Sequence, residues 1–264
     1  MKNNILIIVP TYNEIDNIKE ILKQIYTQLE YIEQNKSLHV LIVDDSSPDG
    51  TADLVKELQA DNYKGKLHLI EREGKLGLGT AYITGFKWAI KNNYDYVFEM
   101  DADLSHNPKY LPDFLERIKT SDLVLGTRYM KGGGVVNWGK HRILISKGGN
   151  LYSKIILGLP YRDLTGGYKC FSVEVLKTID LDSIISNGYA FQIELTYRAH
   201  LRGFKISETP IIFHDRIAGK SKLSNNVFTE AVKNIILLRL KKNTLTKEFK
   251  NLSKAYQTIE SIKG

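Results

Sequence analysis

Two patterns of apolar residues alternate along the first half of the chain. The first is a short run of consecutive apolar residues, which predicts a strand covered on both faces of a sheet. Such runs lie at residues 4–10, 38–45, 67–71, 96–100 and 123–126. The second is an apolar residue every three or four positions, which predicts an amphipathic helix. Segments of this kind lie at residues 15–29, 51–58, 81–90 and 110–118. Strands that alternate with helices predict an α/β fold with a largely parallel sheet flanked by helices.

The second half of the chain departs from this regular alternation. Gly132, Gly133 and Gly134 form a run that is too flexible to hold one shape unaided, and it is a candidate lid over a site. Later patterns predict helices at residues 142–157, 173–178, 191–202 and 227–240, and one strand at residues 205–213.

Length and composition favour one compact unit with an extension. A chain of 264 residues that is 42% hydrophobic can bury a full core. We expect a catalytic domain at residues 1–225, followed by an amphipathic helix and a basic extension at residues 226–264. Residues 239–264 hold seven Lys or Arg against two Glu, so this end could meet anionic lipid or nucleic acid, or be a solvated tail.

The expected location is cytoplasmic. The chain runs from Met1 directly into a predicted strand, without the basic region and cleavage site of a signal peptide. Its one cysteine, Cys170, suits a reducing compartment. No window of 18 apolar residues is present, so we expect no membrane-spanning helix.

Acidic residues follow two of the predicted strands. Asp44 and Asp45 end the second strand, and Asp101 and Asp103 follow the fourth. Ligands of parallel sheets bind beyond the carboxyl ends of the strands, where these carboxylates would meet. Two carboxylates one residue apart can hold a divalent cation together with a bound phosphate, although a solvated turn has the same composition.

Glycine-rich and basic segments offer candidate phosphate contacts. The loop at residues 73–79 matches neither a Walker phosphate loop nor a dinucleotide fingerprint, so a close-packed or mobile turn is the better interpretation. Arg142 and Ser146 are neighbours on one helix and could grip a phosphate. The basic loop at residues 215–222 suits a pyrophosphate, or is simply solvated.

Six short motifs in order resemble one family. The chain closely resembles the inverting, nucleotide-sugar-dependent glycosyltransferases of family 2, and within them the dolichol- or polyprenol-phosphate mannose synthases. The resemblance implies the GT-A nucleotide-diphospho-sugar transferase fold. The motifs are VPTYNE (9–14), VDDSSPDGT (43–51), MDADLSHNP (100–108), GTRY (126–129), DLTGGYK (163–169) and DR…GKSKL (215–223).

The resemblance also implies a role for individual residues. Its nucleotide-sugar pocket falls on Pro10, Tyr12, Glu14, Val43, Asp45, Asp101, Ala102, Asp103, Arg216 and Lys222. Its catalytic residues fall on Asp101, Asp103 and Arg128, and its acceptor-phosphate site on Arg128, Arg142 and Ser146. Mg²⁺ or Mn²⁺ would bind Asp103, with Ser105 where microbial relatives often carry glutamine.

By this resemblance the expected reaction is inverting transfer of mannose from GDP-mannose to a polyprenyl or dolichyl phosphate at the cytoplasmic face of a membrane. UDP-glucose or another sugar nucleotide is the alternative donor. The chain would reach its lipid through a membrane surface, or with a small membrane-anchoring subunit. Two other classes of protein fit less well. A scaffold that had lost catalysis would not need to keep these acids and arginines. A nucleotidyltransferase would carry a glycine-rich basic motif just after the first strand, where this chain has residues 11–14 (TYNE) instead. Nucleic-acid binding lacks a recognisable module.

Overall fold

The structure is a computed structural model that describes residues 3–33, 36–215 and 225–246, with the side chains of residues 225–228 left out. In chain order the strands are β1 (Asn3–Thr11), β2 (Lys36–Asp44), β3 (Leu67–Glu71), β4 (Tyr96–Glu99), β5 (Leu123–Thr127), β6 (Gly134–Val136), β7 (Lys169–Ser172), β8 (Ile206–Pro210) and β9 (Ile212–His214). The helices are α1 (Ile15–Thr27), α2 (Thr51–Asp61), α3 (Leu78–Lys91), α4 (Leu111–Ile118), α5 (Lys140–Leu157), α6 (Val173–Thr178), α7 (Gly188–Leu201) and α8 (Asn225–Leu240).

A seven-stranded sheet forms the centre, in the order β3-β2-β1-β4-β7-β5-β8. Every neighbouring pair is parallel except those of β7, which runs antiparallel to both β4 and β5. The predicted α/β fold with a largely parallel, helix-flanked sheet is confirmed. Beside it, β6 and β9 form a parallel two-stranded sheet.

Alternate residues of β1 enter two cores on opposite faces of the sheet, as the period of a strand requires. Ile5, Ile7 and Val9 pack with α1 and α4. Leu6 and Ile8 pack with α3, α6 and α7. These five side chains are fully buried, which explains why the sequence shows an uninterrupted apolar run here.

A third cluster joins α5, α7 and α8. Leu157, Ile193, Tyr197, Ile235 and Leu238 are buried together there. Helix α5 ends where Gly158 takes a left-handed conformation, with φ of +71°, and its N–H donates to the carbonyl of Lys154. Helix α8 packs on α5 and α7 through this cluster. The division of the chain into residues 1–225 and 226–264 stays a prediction.

The local structure differs from the expectations in two places. Strand β7 was not predicted, although it lies mid-sheet. The strand expected at residues 205–213 is two strands, because β8 pairs with β5 in the main sheet whereas β9 pairs with β6 in the small sheet. At the glycine run, Gly134 begins β6, and a Cβ on Gly133 would lie 2.6 Å from the carbonyl oxygen of Thr127. Gly133 therefore fills a tight backbone contact, and the role of the run as a lid stays a prediction.

No helix of the described residues combines the length and the apolar character needed to cross a membrane.

Candidate active site

The first four strands end at one edge of the sheet. Thr11 of β1 pairs with Asp44 of β2, and Asp44 pairs in turn with Glu71 of β3. Strand β4, on the other side of β1, ends at Glu99. The loops that follow these strands therefore meet, and they carry the predicted nucleotide-sugar residues.

Asp44 organises this edge without being available to a ligand. Its buried carboxylate accepts hydrogen bonds from the hydroxyl of Thr11 at 2.7 Å, and from both the N–H and the hydroxyl of Ser47 at 2.8 and 2.6 Å. Ser47 in turn accepts from the N–H of Asn13 at 3.0 Å. The β1 and β2 loops are thus tied together beside Tyr12 and Glu14.

Asp45 is held by an arginine that the sequence did not single out. Nε of Arg72 donates to Asp45 Oδ1 at 2.6 Å, and the N–H of Leu76 donates to Oδ2 at 3.2 Å. Arg72 also donates to the Thr80 hydroxyl and the Gly77 carbonyl. The glycine loop is therefore tied to this carboxylate, directly through the N–H of Leu76 and indirectly through Arg72.

The same loop places a cation over the predicted nucleotide residues. Nζ of Lys75 lies 4.1 Å from the centre of the Tyr12 ring, in the geometry of a cation–π contact. Lys75 is exposed, and Tyr12 is half-buried. A flat ring and a cation thus lie together at the carboxyl end of the parallel sheet.

Asp101 and Asp103 follow β4 with different supports. Asp101 accepts a hydrogen bond at 3.1 Å from Tyr82, whose hydroxyl stays protonated because burial and the nearby carboxylates raise its pKa well above the ordinary value. The N–H of Asp101 donates to His106 Nδ1 at 3.0 Å. Asp103 is 8% exposed and accepts from the N–H and the hydroxyl of Ser105, at 3.1 and 2.5 Å.

A buried polar network lies beneath this motif. Gln192 donates to Glu99 Oε1 at 3.2 Å and accepts from Lys169 Nζ at 2.7 Å through its side chain and 2.6 Å through its carbonyl. Burial raises the pKa of Glu99 to about 8 and lowers that of Lys169 to about 8. Desolvation thus outweighs the mutual attraction of the two groups, and Gln192 joins β4, β7 and α7 under the site.

The acidic motif fits a divalent cation of the Mg²⁺ or Mn²⁺ kind. Asp101 and Asp103 are separated by one residue, and both offer carboxylate oxygens. The side chain of Asp101 is 25% exposed. No group of three or more His, Cys, Asp or Glu that could hold a metal occurs within the described residues. Mg²⁺ is typically held by one or two carboxylates together with substrate phosphates, which this donor set allows. Ser105 orients the carboxylate of Asp103, and its role as a metal ligand stays a prediction.

Arg128 lies across the sheet, in a fixed orientation. Its Nε and Nη2 donate to the two oxygens of Asp163, both at 2.7 Å, and Nη2 also donates to Thr165 at 2.8 Å. Burial alone would raise the pKa of Asp163, but the guanidinium and its hydrogen bonds hold that pKa below its ordinary value. Since Nη1 has no hydrogen-bond partner within the described residues, it remains available to an anion.

A cavity of about 230 Å³ opens beside Arg128, between α5, α7 and α8. Its polar end carries Arg128, Arg142, Ser146 and Thr165. Its other walls are mainly apolar or glycine, and they include Ile145, Gly148, Gly149, Tyr152, Ile193, Val232 and Ile235. A ligand that is anionic at one end and apolar along its length matches this lining.

The three predicted acceptor residues line this one cavity. Arg142 also donates to Asp215 at 2.6 Å and lies 4.0 Å from the centre of the Trp138 ring. The Ser146 hydroxyl accepts from Tyr129 at 2.7 Å. A phosphate would therefore share Arg142 with Asp215 or displace that carboxylate.

Aromatic side chains connect the cavity to the acidic motif. His106 stacks on Tyr168 and meets the edge of Phe213, with ring centres 5.0 and 5.4 Å apart. Phe213 contacts Trp138 edge to face, and the Arg128 guanidinium lies 5.6 Å from the centre of the Phe213 ring. Packed aromatic rings thus link the acidic motif to the cavity.

Comparison with known proteins identifies the family. The model of the family described as glycosyl transferase family 2 matches residues 6–180, more than half of the chain. The chain belongs to glycosyltransferase family 2. It is therefore a glycosyltransferase, as its motifs predicted.

Two curated relatives are similar over nearly the whole chain. The undecaprenyl-phosphate mannosyltransferase of Micrococcus luteus is 43% identical over 231 residues, which are 88% of this chain and 92% of that protein. The polyprenol monophosphomannose synthase of Mycolicibacterium smegmatis is 42% identical over 228 residues, covering 86% of this chain and 83% of that protein.

Solved structures support the GT-A fold. Glucosyl-3-phosphoglycerate synthase from Mycobacterium tuberculosis, in complex with Mn²⁺, UDP and glucosyl-3-phosphoglycerate, has a TM-score of 0.61 at 16% identity, over 90% of this chain and 79% of that one. The complex of the same enzyme with Mg²⁺ and UDP has a TM-score of 0.61 at 17% identity, over 90% of this chain and 78% of that one. At this identity the likeness concerns the fold alone.

In this family 2 glycosyltransferase, the sequence located most site segments but not their supports. Pro10, Tyr12, Glu14, Val43, Asp45, Asp101, Ala102 and Asp103 lie on the loops or strand ends of one sheet edge, and their roles stay predictions. Arg216 and Lys222 lie outside the described residues. Tyr82 gave no local signal of a supporting role, and Asp163 was noted only as the first residue of a motif. Arg72 could have been noticed as the charged residue directly after β3.

Proposed function

We propose that this protein transfers mannose from GDP-mannose to a polyprenyl or dolichyl phosphate. The names of the two curated relatives support mannose as the sugar and a polyprenol-type phosphate as the acceptor. One observation from the structure of this chain supports the same acceptor. A mainly apolar cavity, with Arg128, Arg142 and Ser146 at one end, lies near the acidic motif.

The cavity accounts for an amphiphilic acceptor. A monophosphate would meet the Nη1 group of Arg128, whose remaining donors are held by Asp163 and Thr165. Arg142 and the Ser146 hydroxyl complete the polar end. The hydrocarbon chain would follow the apolar walls, since burial of apolar surface favours binding by about 25 cal/mol per Å².

The donor would lie at the carboxyl edge of β1, β2 and β4. Tyr12 and Lys75 would flank the nucleoside, and Asp45, fixed by Arg72, would accept hydrogen bonds from the base. Asp101 would face the sugar and the pyrophosphate. Arg216 and Lys222, in the basic motif, are proposed to contact the donor phosphates.

These positions allow a single displacement with inversion. An oxygen of the lipid phosphate attacks the anomeric carbon, and the bond from that carbon to the β-phosphate oxygen breaks, so that GDP leaves with the bonding electrons. The acceptor phosphate is already ionised near neutral pH and needs no strong general base. Arg128 and Arg142 orient it instead, which lowers the entropic part of the barrier.

Stabilisation of the departing nucleoside diphosphate is the main electrostatic task. Asp103 would hold Mg²⁺ or Mn²⁺, with Ser105 keeping its carboxylate oriented. When bound, such a cation supplies positive charge to the pyrophosphate as negative charge develops there. We place the reaction at the cytoplasmic face of a membrane, with or without a small anchoring subunit.

A transfer assay tests the proposal. Radiolabelled GDP-mannose and, separately, UDP-glucose are incubated with a polyprenyl phosphate in detergent, with Mg²⁺, with Mn²⁺ or with EDTA. Metal-dependent labelling of the lipid from GDP-mannose is expected. Labelling from UDP-glucose alone would replace the donor, and labelling from neither would contradict the proposal.

A further inference from the structure

One side of α5 presents an apolar stripe that nothing within the described residues covers. Leu144, Leu151 and Ile155 lie seven and four residues apart, so they share one stripe of the helix. They are 73%, 59% and 69% exposed. Single exposed apolar side chains are ordinary, but an aligned set of large ones indicates an interaction surface.

Helix α8, which packs beside α5, extends the exposed apolar surface. Ile236, Leu237 and Leu240 are 44%, 42% and 73% exposed. Ile236 lies one helical turn after Val232, which lines the cavity. We call the exposed residues Leu144, Leu151, Ile155, Ile236, Leu237 and Leu240 the apolar face.

The mouth of the cavity opens onto this face. Gly148 lies between Leu144 and Leu151 along the α5 stripe, is itself exposed, and also lines the cavity. A Cβ built on Gly148 or on Gly149 would meet no atom within 4 Å. A long apolar ligand could therefore pass from the apolar face into the cavity without crossing a polar barrier.

Positive charge borders the apolar face. Lys140, Lys147 and Lys154 are spaced seven residues apart and form a second stripe beside the first, and α5 contains no acidic residue. Lys233, Arg239, Lys241 and Lys242 are exposed on and after α8. Lysine stems can lie along apolar surface while their ammonium groups reach anionic headgroups.

We propose that the apolar face docks on a bilayer that contains anionic lipids, with Leu144, Leu151 and Ile155 in the boundary between headgroups and acyl chains. This combination of aliphatic and cationic stripes is typical of helices that lie in a membrane interface. The proposal rests on the proposed function in one respect, since a cavity that opens here would receive its lipid directly from the bilayer.

Binding to vesicles tests the docking. The full chain is sedimented with vesicles of phosphatidylcholine, alone or mixed with phosphatidylglycerol. We expect binding that requires the anionic lipid and weakens with salt. The double variant Leu144→Gln, Leu151→Gln and the single variant Lys147→Glu should each bind about tenfold or more weakly. The matched controls are Lys23→Glu on α1 and Tyr31→Gln, at a side chain that is 69% exposed in the 3-10 turn after α1 (Gln28–Tyr31). Both should bind as the unaltered protein does.

A fluorescent label reports which surface enters the lipid. The native Cys170 is buried, so an environment-sensitive dye can be attached selectively to Leu151→Cys or, as the control, to Tyr31→Cys. We expect a blue shift with anionic vesicles for the first label alone. An unshifted label at position 151, or equal vesicle binding by all variants, would overturn the proposal and leave this face to a protein partner.

The proposed function can fail separately from the docking. With a short polyprenyl phosphate dissolved in detergent, the Leu144→Gln, Leu151→Gln variant should transfer mannose as fast as the unaltered protein, because neither side chain lines the cavity. With the same acceptor embedded in anionic vesicles its rate should fall about tenfold. An equal loss in detergent would show a damaged active site and overturn the docking role.

Discussion

Among single residues, Asp103 is the most direct test of the metal site. Asp103→Asn keeps the size of the side chain and an oxygen that can accept from Ser105, but it removes the negative charge that would hold the cation. We expect transfer to fall by about a thousandfold or more, since stabilisation of developing charge is usually a large part of catalysis. Initial rates at saturating Mg²⁺ or Mn²⁺ measure the loss.

Asp53→Ala is the matched control, because that carboxylate is 80% exposed in the ion pair with Lys56. It should change neither the rate nor the melting temperature appreciably. A normal rate for Asp103→Asn, at an unchanged melting temperature, would remove Asp103 from the reaction.

Arg128 tests whether geometry or charge alone holds the acceptor. Arg128→Lys retains one positive charge, but a single ammonium group cannot bond both oxygens of Asp163 and Thr165 while presenting a further donor to a phosphate. A hydrogen bond to a charged group contributes about 1.5–3 kcal/mol, so kcat/KM for the lipid should fall about 10- to 100-fold. Acceptor titrations at saturating donor measure it.

The donor KM should stay unchanged in Arg128→Lys, which separates an acceptor role from general damage. Arg162→Lys provides the comparison, since Arg162 forms a more exposed pair with Glu208 at 2.9 Å. If both lysine variants lose the same amount of activity, the special role of Arg128 is refuted.

The sequence predicted which residues carry charge at the site better than it predicted what holds them. Asp101 and Asp103 were identifiable because they directly follow an apolar run. Tyr82 supports Asp101 from a helix 19 positions earlier, and Asp163 supports Arg128 from 35 positions later. Such pairings depend on the packing of distant segments, which no local pattern encodes.

At the scale of elements, two glycines in helices test the packing of α3 and α5. A Cβ on Gly85 of α3 would lie 2.6 Å from Ile8 Cγ2 on the buried strand β1. One on Gly148 of α5 would meet nothing within 4 Å. Alanine gains about 1 kcal/mol over glycine in a helix, whereas overpacking a core costs about 1–3 kcal/mol.

Gly85→Ala should therefore lower the melting temperature, and Gly148→Ala should raise it by about 2–4 °C. Calorimetry of the two variants beside the unaltered protein measures both shifts. Because each variant makes the same chemical change in a helix, each serves as the control for the other. A rise in both would show that α3 can move away from β1 without cost.

The elements that sequence patterns missed have physical reasons in common. Strand β7 has four residues and begins with Lys169. A charged residue predicts an exposed position, but Lys169 is fully buried. Lys169 is tolerated there because Gln192 accepts two hydrogen bonds from it. Strands β6 and β9 have three residues each, too few for any periodicity. Long apolar runs such as β1 and β2 were predicted because burial on both faces leaves no room for polar residues.

For the whole molecule, stability at acidic pH should depend on a histidine pair on β2 and β3. His39 and His68 lie on β2 and β3 with Nδ1 and Nε2 3.2 Å apart, and the His68 ring also packs on Trp88. Burial lowers the pKa of His68 below its ordinary value of 6.5. The unfolded chain therefore binds the proton more readily than the folded protein does.

The sign of the effect follows from this order of pKa values. Stability from neutral His68 is complete above pH 6.5 and is lost as the pH falls through 6.5 toward the lower folded value, with a slope of up to about 1.4 kcal/mol per pH unit. In urea titrations between pH 7.5 and 5, His68→Gln should show a shallower decline than the unaltered protein. His141→Gln, at an exposed histidine, should keep the full slope. Parallel curves for all three proteins would show that protonation of His68 does not couple to unfolding.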